Sequence, residues 1–176
     1  MWNNEKTANL NSNGKAGNVT PSSTRKRETE FLLSSERFFR SIFENANDAI
    51  FLMEGDTFID CNRKTEEMFG CRSEDIRQRK PYEFSPPLQP DGRDSMEKAQ
   101  EYIRAALDGA PQFFEWKHKK LDGSLFDAEV SLNRVDIDGK PVIQAIVRDV
   151  TRRKKAEEEL KKAYDELEKR VEERTL

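Results

Sequence analysis

From Phe113 to Leu132 the hydrophobic period is two residues, and this alternation limits the fold more than any other feature of the sequence. Phe114, Trp116 and His118 fall on one side of a strand, and Phe113, Glu115, Lys117 and Lys119 on the other. Asp122-Gly123 is a hairpin signal. The returning strand puts Phe126, Ala128, Val130 and Leu132 on one face and Asp127, Glu129 and Ser131 on the opposite one. Asp138-Gly139 makes a second turn, and residues 141–149 are apolar on both faces, as a central strand should be. The reading is a three-stranded antiparallel meander.

Upstream, Ala49–Met53 and Thr57–Cys61 are short apolar runs joined by Glu54-Gly55-Asp56, a second hairpin. Asn62 is placed to cap a short helix over 63–69 that Gly70 closes, and Ser73 starts another turn through Ile76. Four prolines and Asp91-Gly92 mark 81–92 as a loop. Asp94 or Ser95 caps a longer helix over 94–108, with Met96, Ala99, Ile103, Ala106 and Leu107 on one face and Gly109 as its stop. The order strand–strand–helices–strand–strand–strand predicts an α+β fold, a five-stranded antiparallel sheet with helices on one face.

The flanks differ from this middle. Residues 1–30 contain six Asn and few large apolar side chains, which predicts a disordered segment. Over 31–47 an amphipathic helix is expected: Phe38, Phe39, Ile42, Phe43 and Ala46 recur at helical spacing, Phe31 and Leu32 extend the stripe backwards, and Ser34 or Ser35 supplies the N-cap. Residues 48–150 are the globular part. Residues 151–176 lack Gly and Pro, and 17 of the 26 are charged. Leu160, Tyr164, Leu167 and Val171, spaced 4, 3, 4, make an a/d seam suited to a two-stranded coiled coil. A single solvated helix with i,i+4 pairs such as Glu157–Lys161 is the other reading. The pattern reaches Leu176 without a terminator, as a fragment of a longer protein would.

The net charge is −3, divided as +2, −6 and +1 among 1–30, 31–150 and 151–176, which argues against a nucleic-acid partner. No run of 18 apolar residues and no secretory leader is present, so no membrane insertion is expected. Two cysteines, Cys61 and Cys71, point to a reducing cytoplasm and read as ordinary thiols, with redox sensing the alternative.

The residues in this order resemble a PAS domain with its C-terminal PAC motif. The resemblance is carried by SERFFRSIFENANDAIFL (35–52), Asn62, FFEWKHKKLDGSLFDAEVSL (113–132) and RDVTRRKKAEEEL (148–160). It implies a curved sheet of spatial order 2-1-5-4-3, with a ligand or cofactor often held between sheet and helices. It also implies a sensory, non-catalytic role. Asp149-Val150-Thr151 is similar to the junction with a signalling helix in sensor histidine kinases, which makes Asp149 and Thr151 the expected relay. Light-sensing flavin relatives carry a reactive Cys where this chain reads Arg79-Lys80-Pro81-Tyr82, and a Gln where it has Val147. Haem-binding relatives commonly use a His on the long helix, and 94–108 has none. Neither flavin nor haem is therefore expected, and the cofactor stays unknown.

The one histidine, His118, resembles the strand position at which flavin-binding relatives place a ligand-facing Asn. Trp116 shares its face, with Ala128 and Val130 opposite. Met68, Tyr82, Phe84, Tyr102 and Ile103 are further candidates for the same pocket. His118 is then either a ligand contact or a core imidazole hydrogen-bonded to a neighbour. Catalysis is not expected: there is no phospho-accepting His on a helix and no Gly-rich nucleotide loop, and two Cys with one His fall short of a zinc site. The expectation is a cytoplasmic sensory domain, homodimeric, coupling a small-molecule signal to a downstream output domain, which the family resemblance implies is that of a histidine kinase. A ligand-free dimerisation or protein-interaction module is the alternative, and a haem or other cofactor-based redox or gas sensor a further one.

Overall fold

The computed structural model describes residues 21–175. The chain divides into a unit ending at Arg40 and a second unit from Ser41 to Leu176. The first holds most of helix α1 (Pro21–Glu44). This helix starts ten residues before the expected boundary, so the disorder expected for 1–30 does not extend over 21–30; residues 1–20 lie outside the described residues. Arg25, Lys26, Arg27, Glu28 and Glu30 are good helix formers, and neither Gly nor Pro interrupts 22–44. Ser34 is consequently no N-cap: its hydroxyl donates back to the Phe31 carbonyl at 3.0 Å inside the helix. The helix stops at Glu44, which leaves Ala46 outside it.

In the second unit, β1 (Ala49–Glu54) and β2 (Thr57–Cys61) form the first hairpin. Short helices α2 (Arg63–Phe69) and α3 (Ser73–Ile76) follow, then a 3-10 turn (Pro81–Phe84) and α4 (Ser95–Leu107). The meander is β3 (Gln112–Lys119), β4 (Leu125–Ile137) and β5 (Lys140–Asp149). Helix α5 spans Thr151–Thr175. The five antiparallel strands lie in the order β2-β1-β5-β4-β3, with β5 in the middle. That position explains why 141–149 is apolar on both faces. The loop 81–92 is more ordered than its prolines suggested: besides the 3-10 turn, Leu88 bridges to Asp94.

One face of the sheet and the helices enclose a single core, with Phe51, Met53, Phe69, Ile76 and Ile143 almost wholly buried. Gly70 closes α2 at φ 66°, a left-handed conformation that costs glycine little. The start of α2 is fixed by Asn62, which is fully buried. Its Oδ1 accepts from the backbone N–H of Ile50 (3.0 Å) and Thr65 (3.0 Å) and from the Thr65 hydroxyl (2.9 Å). Its Nδ2 donates to the carbonyls of Phe43 (3.0 Å) and Asp48 (3.1 Å). One side chain thus ties the end of α1, the start of β1 and the N-terminus of α2. Asn62→Ala strands several backbone groups out of water, at about 1–3 kcal/mol for an unsatisfied group, and removes a helix cap. A loss of about 2–4 kcal/mol is expected, read as a lowered urea midpoint; a change below about 0.5 kcal/mol would show that the knot is not structural.

Candidate functional site

Alternation carries β3 and β4 past one another in a fixed register. Trp116 faces Ala128, His118 faces Phe126 and Phe114 faces Val130. Trp116 and His118 are buried while Phe113 and Glu115 are exposed, so the inward face is the one the alternation assigned to them. Between this face, α4 and the 3-10 turn lies a cavity of about 50 Å³. Trp116, His118, Val130 and Ile103 line it, joined by Phe84 and Pro81 from the turn.

Four expected pocket residues stand outside it. Ala128 is fully buried beneath the Trp116 side of the sheet, packed into the core rather than lining the space. Tyr82 is half-buried, because in the tight turn Pro81 and Phe84 (i and i+3) share the inward side. Met68 is half-buried on α2, where helical phase gives the inward positions to Thr65 and Phe69. Tyr102 stacks on Phe114 with ring centroids 4.0 Å apart and does not reach the cavity.

The polar atoms around the cavity are few. Trp116 Nε1 donates to Ser85 Oγ at 2.9 Å, and Ser85 Oγ donates to the Pro81 carbonyl at 3.3 Å. His118 Nδ1 lies 3.2 Å from the Phe84 carbonyl, which can only accept, so Nδ1 carries the proton and donates. Nε2 is then a bare acceptor, buried and without a hydrogen-bond partner. The imidazole is packed among Phe69, Phe126 and Trp116, at centroid distances of 5.2, 5.4 and 6.5 Å. Desolvation in this aromatic nest pushes His118 down from 6.5 to about 4, with the Phe84 carbonyl opposing weakly. Burial pushes Cys61 up to about 12 and Cys71 up to about 11, so neither thiol is activated.

The loop over the cavity and helix α4 carry two residues that no local sequence signal singles out. Gln89 is buried, and its side chain acts as a strand partner for the edge of β3: Oε1 accepts from Lys117 N (2.8 Å) and Nε2 donates to Lys117 O (3.2 Å). Lys98 on α4 pairs with Asp91 at 2.7 Å and sits 5.6 Å from the centre of the Trp116 ring. A polar glutamine in a proline-rich stretch reads as solvated loop until the edge strand beside it is known.

Asp149 and Thr151, the residues expected to form a relay, meet at the start of α5. Asp149 Oδ1 accepts from Thr151 N (2.8 Å), and Thr151 Oγ1 accepts from Asp127 N on β4 (3.0 Å). Val150 N donates to Asp127 O (2.9 Å). Arg153 pairs with Glu129 (2.7 Å) and Lys154 with Glu115 (2.5 Å). Leu160, Tyr164, Leu167 and Val171 are all more than half exposed along α5.

A family model described as the PAS fold matches residues 43–155. The chain belongs to the PAS fold family. It is 34% identical over 129 residues to the methyl sulfide methyltransferase-associated sensor of Methanosarcina acetivorans, which covers 72% of this chain and 12% of that protein. The chain therefore spans about an eighth of that relative's length. The PAS domain of an HTR-like protein from Haloarcula marismortui superposes with a TM-score of 0.62 at 25% identity, over 71% of this chain and 99% of that one. A domain of a sensory box sensor histidine kinase/response regulator from Geobacter sulfurreducens shares the fold at 23% identity, with a TM-score of 0.55 over 69% and 99%. Among the described residues no helix is long and apolar enough to cross a membrane.

Because the His118 imidazole gives up its charge on burial, the folded PAS domain takes up this proton only near pH 4, whereas the unfolded chain does so near 6.5. Between those values the unfolded state binds more protons, so stability is full above pH 6.5 and falls as the pH drops to 4. No ionised side chain is among the causes of the shift. The expected loss is about 3 kcal/mol in urea unfolding. A His118→Gln variant should lose less by that amount over the same window, which separates the imidazole from the carboxylates. Parallel profiles for the two proteins would contradict the neutral assignment.

Proposed function

We propose that this PAS domain is a cytoplasmic sensor module in which a small molecule in the cavity alters the hold of β3 and β4 on helix α5, and that α5 passes the change to an output domain through a dimeric coiled coil. One observation carries the reading: β3 and β4 wall the cavity with one face and grip α5 with the other. On β3, Trp116 and His118 alternate with Glu115, the partner of Lys154. On β4, Val130 alternates with Glu129, the partner of Arg153, and Asp127 receives Val150 and Thr151. A sheet strand moves both of its faces together, so a shift at the cavity is a shift at the α5 anchor.

The exposed seam Leu160, Tyr164, Leu167 and Val171 supports pairing with a second copy, and the exposed stripe Phe31, Leu32, Phe38, Phe39 and Ile42 on α1 offers a further apolar surface for it. Two free cysteines, both with raised pKa values, suit a reducing compartment. Relation to a much longer sensor supports an output domain beyond α5; a histidine kinase is the output proposed.

Native mass spectrometry of freshly purified protein, with an absorbance spectrum, tests the first half of this reading. A stoichiometric extra mass lost in Trp116→Ala is the expected result, and a visible chromophore would replace it with a cofactor-based sensor. The second half is read by sedimentation equilibrium. Leu160→Lys with Leu167→Lys should weaken self-association at least tenfold while leaving the PAS fold intact by circular dichroism. An unchanged association constant would remove α5 from the interface. Thr151→Val, which deletes the hydroxyl that accepts from Asp127 N, should raise amide exchange in the first turn of α5 more than in β1.

A further inference from the structure

We propose that the cavity selects a neutral small molecule bearing one O–H or N–H donor on a short apolar body, with His118 Nε2 as its single polar anchor. This rests on the sensory reading of the cavity and names the chemistry of its occupant.

The argument starts from what the cavity offers. His118 and Trp116 are the nitrogen-bearing side chains among its lining, and the Trp116 N–H is already donated to Ser85. Nε2 of His118, on a residue 8% exposed, is the one polar side-chain atom among the described residues that is buried without a partner. Its tautomer is set by the Phe84 carbonyl, so it can accept and cannot donate. An occupant must therefore bring the proton. The rest of the lining is apolar side chains, Phe58, Phe84, Ile103, Val130 and Leu132 among them, with the Met53 thioether a weak acceptor at most.

Charge is excluded by the same inventory. No cationic side chain lines the cavity, and the nearby Lys98 is held by Asp91, so a carboxylate or phosphate would be buried without a counter-ion. An ammonium would find one acceptor for three N–H groups, with no carboxylate among the lining. Water fits poorly as well. A buried water typically makes about three hydrogen bonds, and this space offers one. The volume of about 50 Å³ exceeds the ~10–15 Å³ that one water needs on such a measure, and leaves room for a few carbons. A short alcohol is the simplest compound that satisfies all these conditions.

The test uses two isomers of identical formula and one charged analogue. 1-Butanol carries an O–H; diethyl ether does not; butyrate adds the charge. Each is titrated into the intact chain labelled with ¹⁵N, and the imidazole nitrogens are followed by NMR. With one histidine in the chain, these resonances need no assignment. The expected result is saturable binding of 1-butanol with an upfield shift of the unprotonated Nε2 resonance, diethyl ether binding about tenfold more weakly without that shift, and no binding of butyrate. In His118→Phe the preference for butanol over ether should vanish. Should that variant fail to fold, the wild-type isomer preference and nitrogen shift decide the matter alone.

Equal binding of butanol and ether with no movement of Nε2 would overturn the anchor while leaving the cavity a ligand site. Failure of butanol to bind at all would overturn the inference, and the relay reading would then rest on the mass measurement. Tighter binding of butyrate would overturn the neutral-donor assignment. A Soret band in the purified protein would overturn it in favour of metal ligation by Nε2.

Discussion

The buried amide of Asn62 sets the geometry on which the site depends. It holds the N-terminus of α2 against the start of β1 and the last turn of α1 through five hydrogen bonds, three of them buried and two part-buried. Seven residues further on, α2 ends in Phe69, whose ring meets Phe51, Phe84, Phe126 and His118 edge-on at 5.2 to 5.9 Å. Phe69 is the centre of the aromatic nest that desolvates the imidazole. A displaced α2 would open that nest to water, and His118 would return to an ordinary histidine. Polar precision at Asn62 and apolar packing at Phe69 are therefore one construction, joined by two turns of helix.

In the proposed relay, the path from that nest to α5 needs no long chain of intermediates. Pocket and anchor residues are sequence neighbours on β3 and β4, one residue apart and on opposite faces. The ion pairs from Arg153 and Lys154 are exposed, and exposed pairs contribute little singly. The backbone and hydroxyl bonds between Asp127 and Val150-Thr151 are more sheltered and define the angle at which α5 leaves the sheet. A weak, divided attachment suits a joint that must have two arrangements of similar energy. A helix clamped by a large apolar interface would not change its exit angle for a small ligand.

Most of this was legible in the sequence, for a definable reason. Period-two alternation in 113–132, Asp-Gly turns and the Asn62 cap are local signals, and each specifies one conformation strongly. With them came the sheet, the inward face of Trp116 and His118, and the placement of Ile103 and Val130. What failed was set by partners distant in sequence. Ala128 was expected beside a ligand because it is small and faces inward, but Trp116 opposite leaves it in the packed core. Tyr82 and Met68 lie in short elements, where a single residue of phase decides between core and surface. Gln89 has meaning only beside the unpaired edge of β3. The start of α1 at Pro21 departs from the expected disorder of 1–30 because polar composition does not by itself mean disorder: Arg, Lys and Glu favour helix as well as water.

The energy available to such a device is small, and the architecture agrees with that. An unpaired buried acceptor costs about 1–3 kcal/mol, which an occupant donating to Nε2 recovers only in part because it leaves its own water behind. A few buried carbons add about 0.8 kcal/mol each. A ligand shifts an equilibrium by no more than its differential affinity for the two states, so the coupling to α5 proposed above would be confined to the range of about 1–3 kcal/mol typical of allosteric sites. That is enough to bias a marginal two-heptad seam and far too little to rearrange a stable coiled coil. The brevity of the apolar seam and the poverty of the cavity in polar groups thus belong together: a weak signal can govern only an output helix whose alternatives lie close in energy.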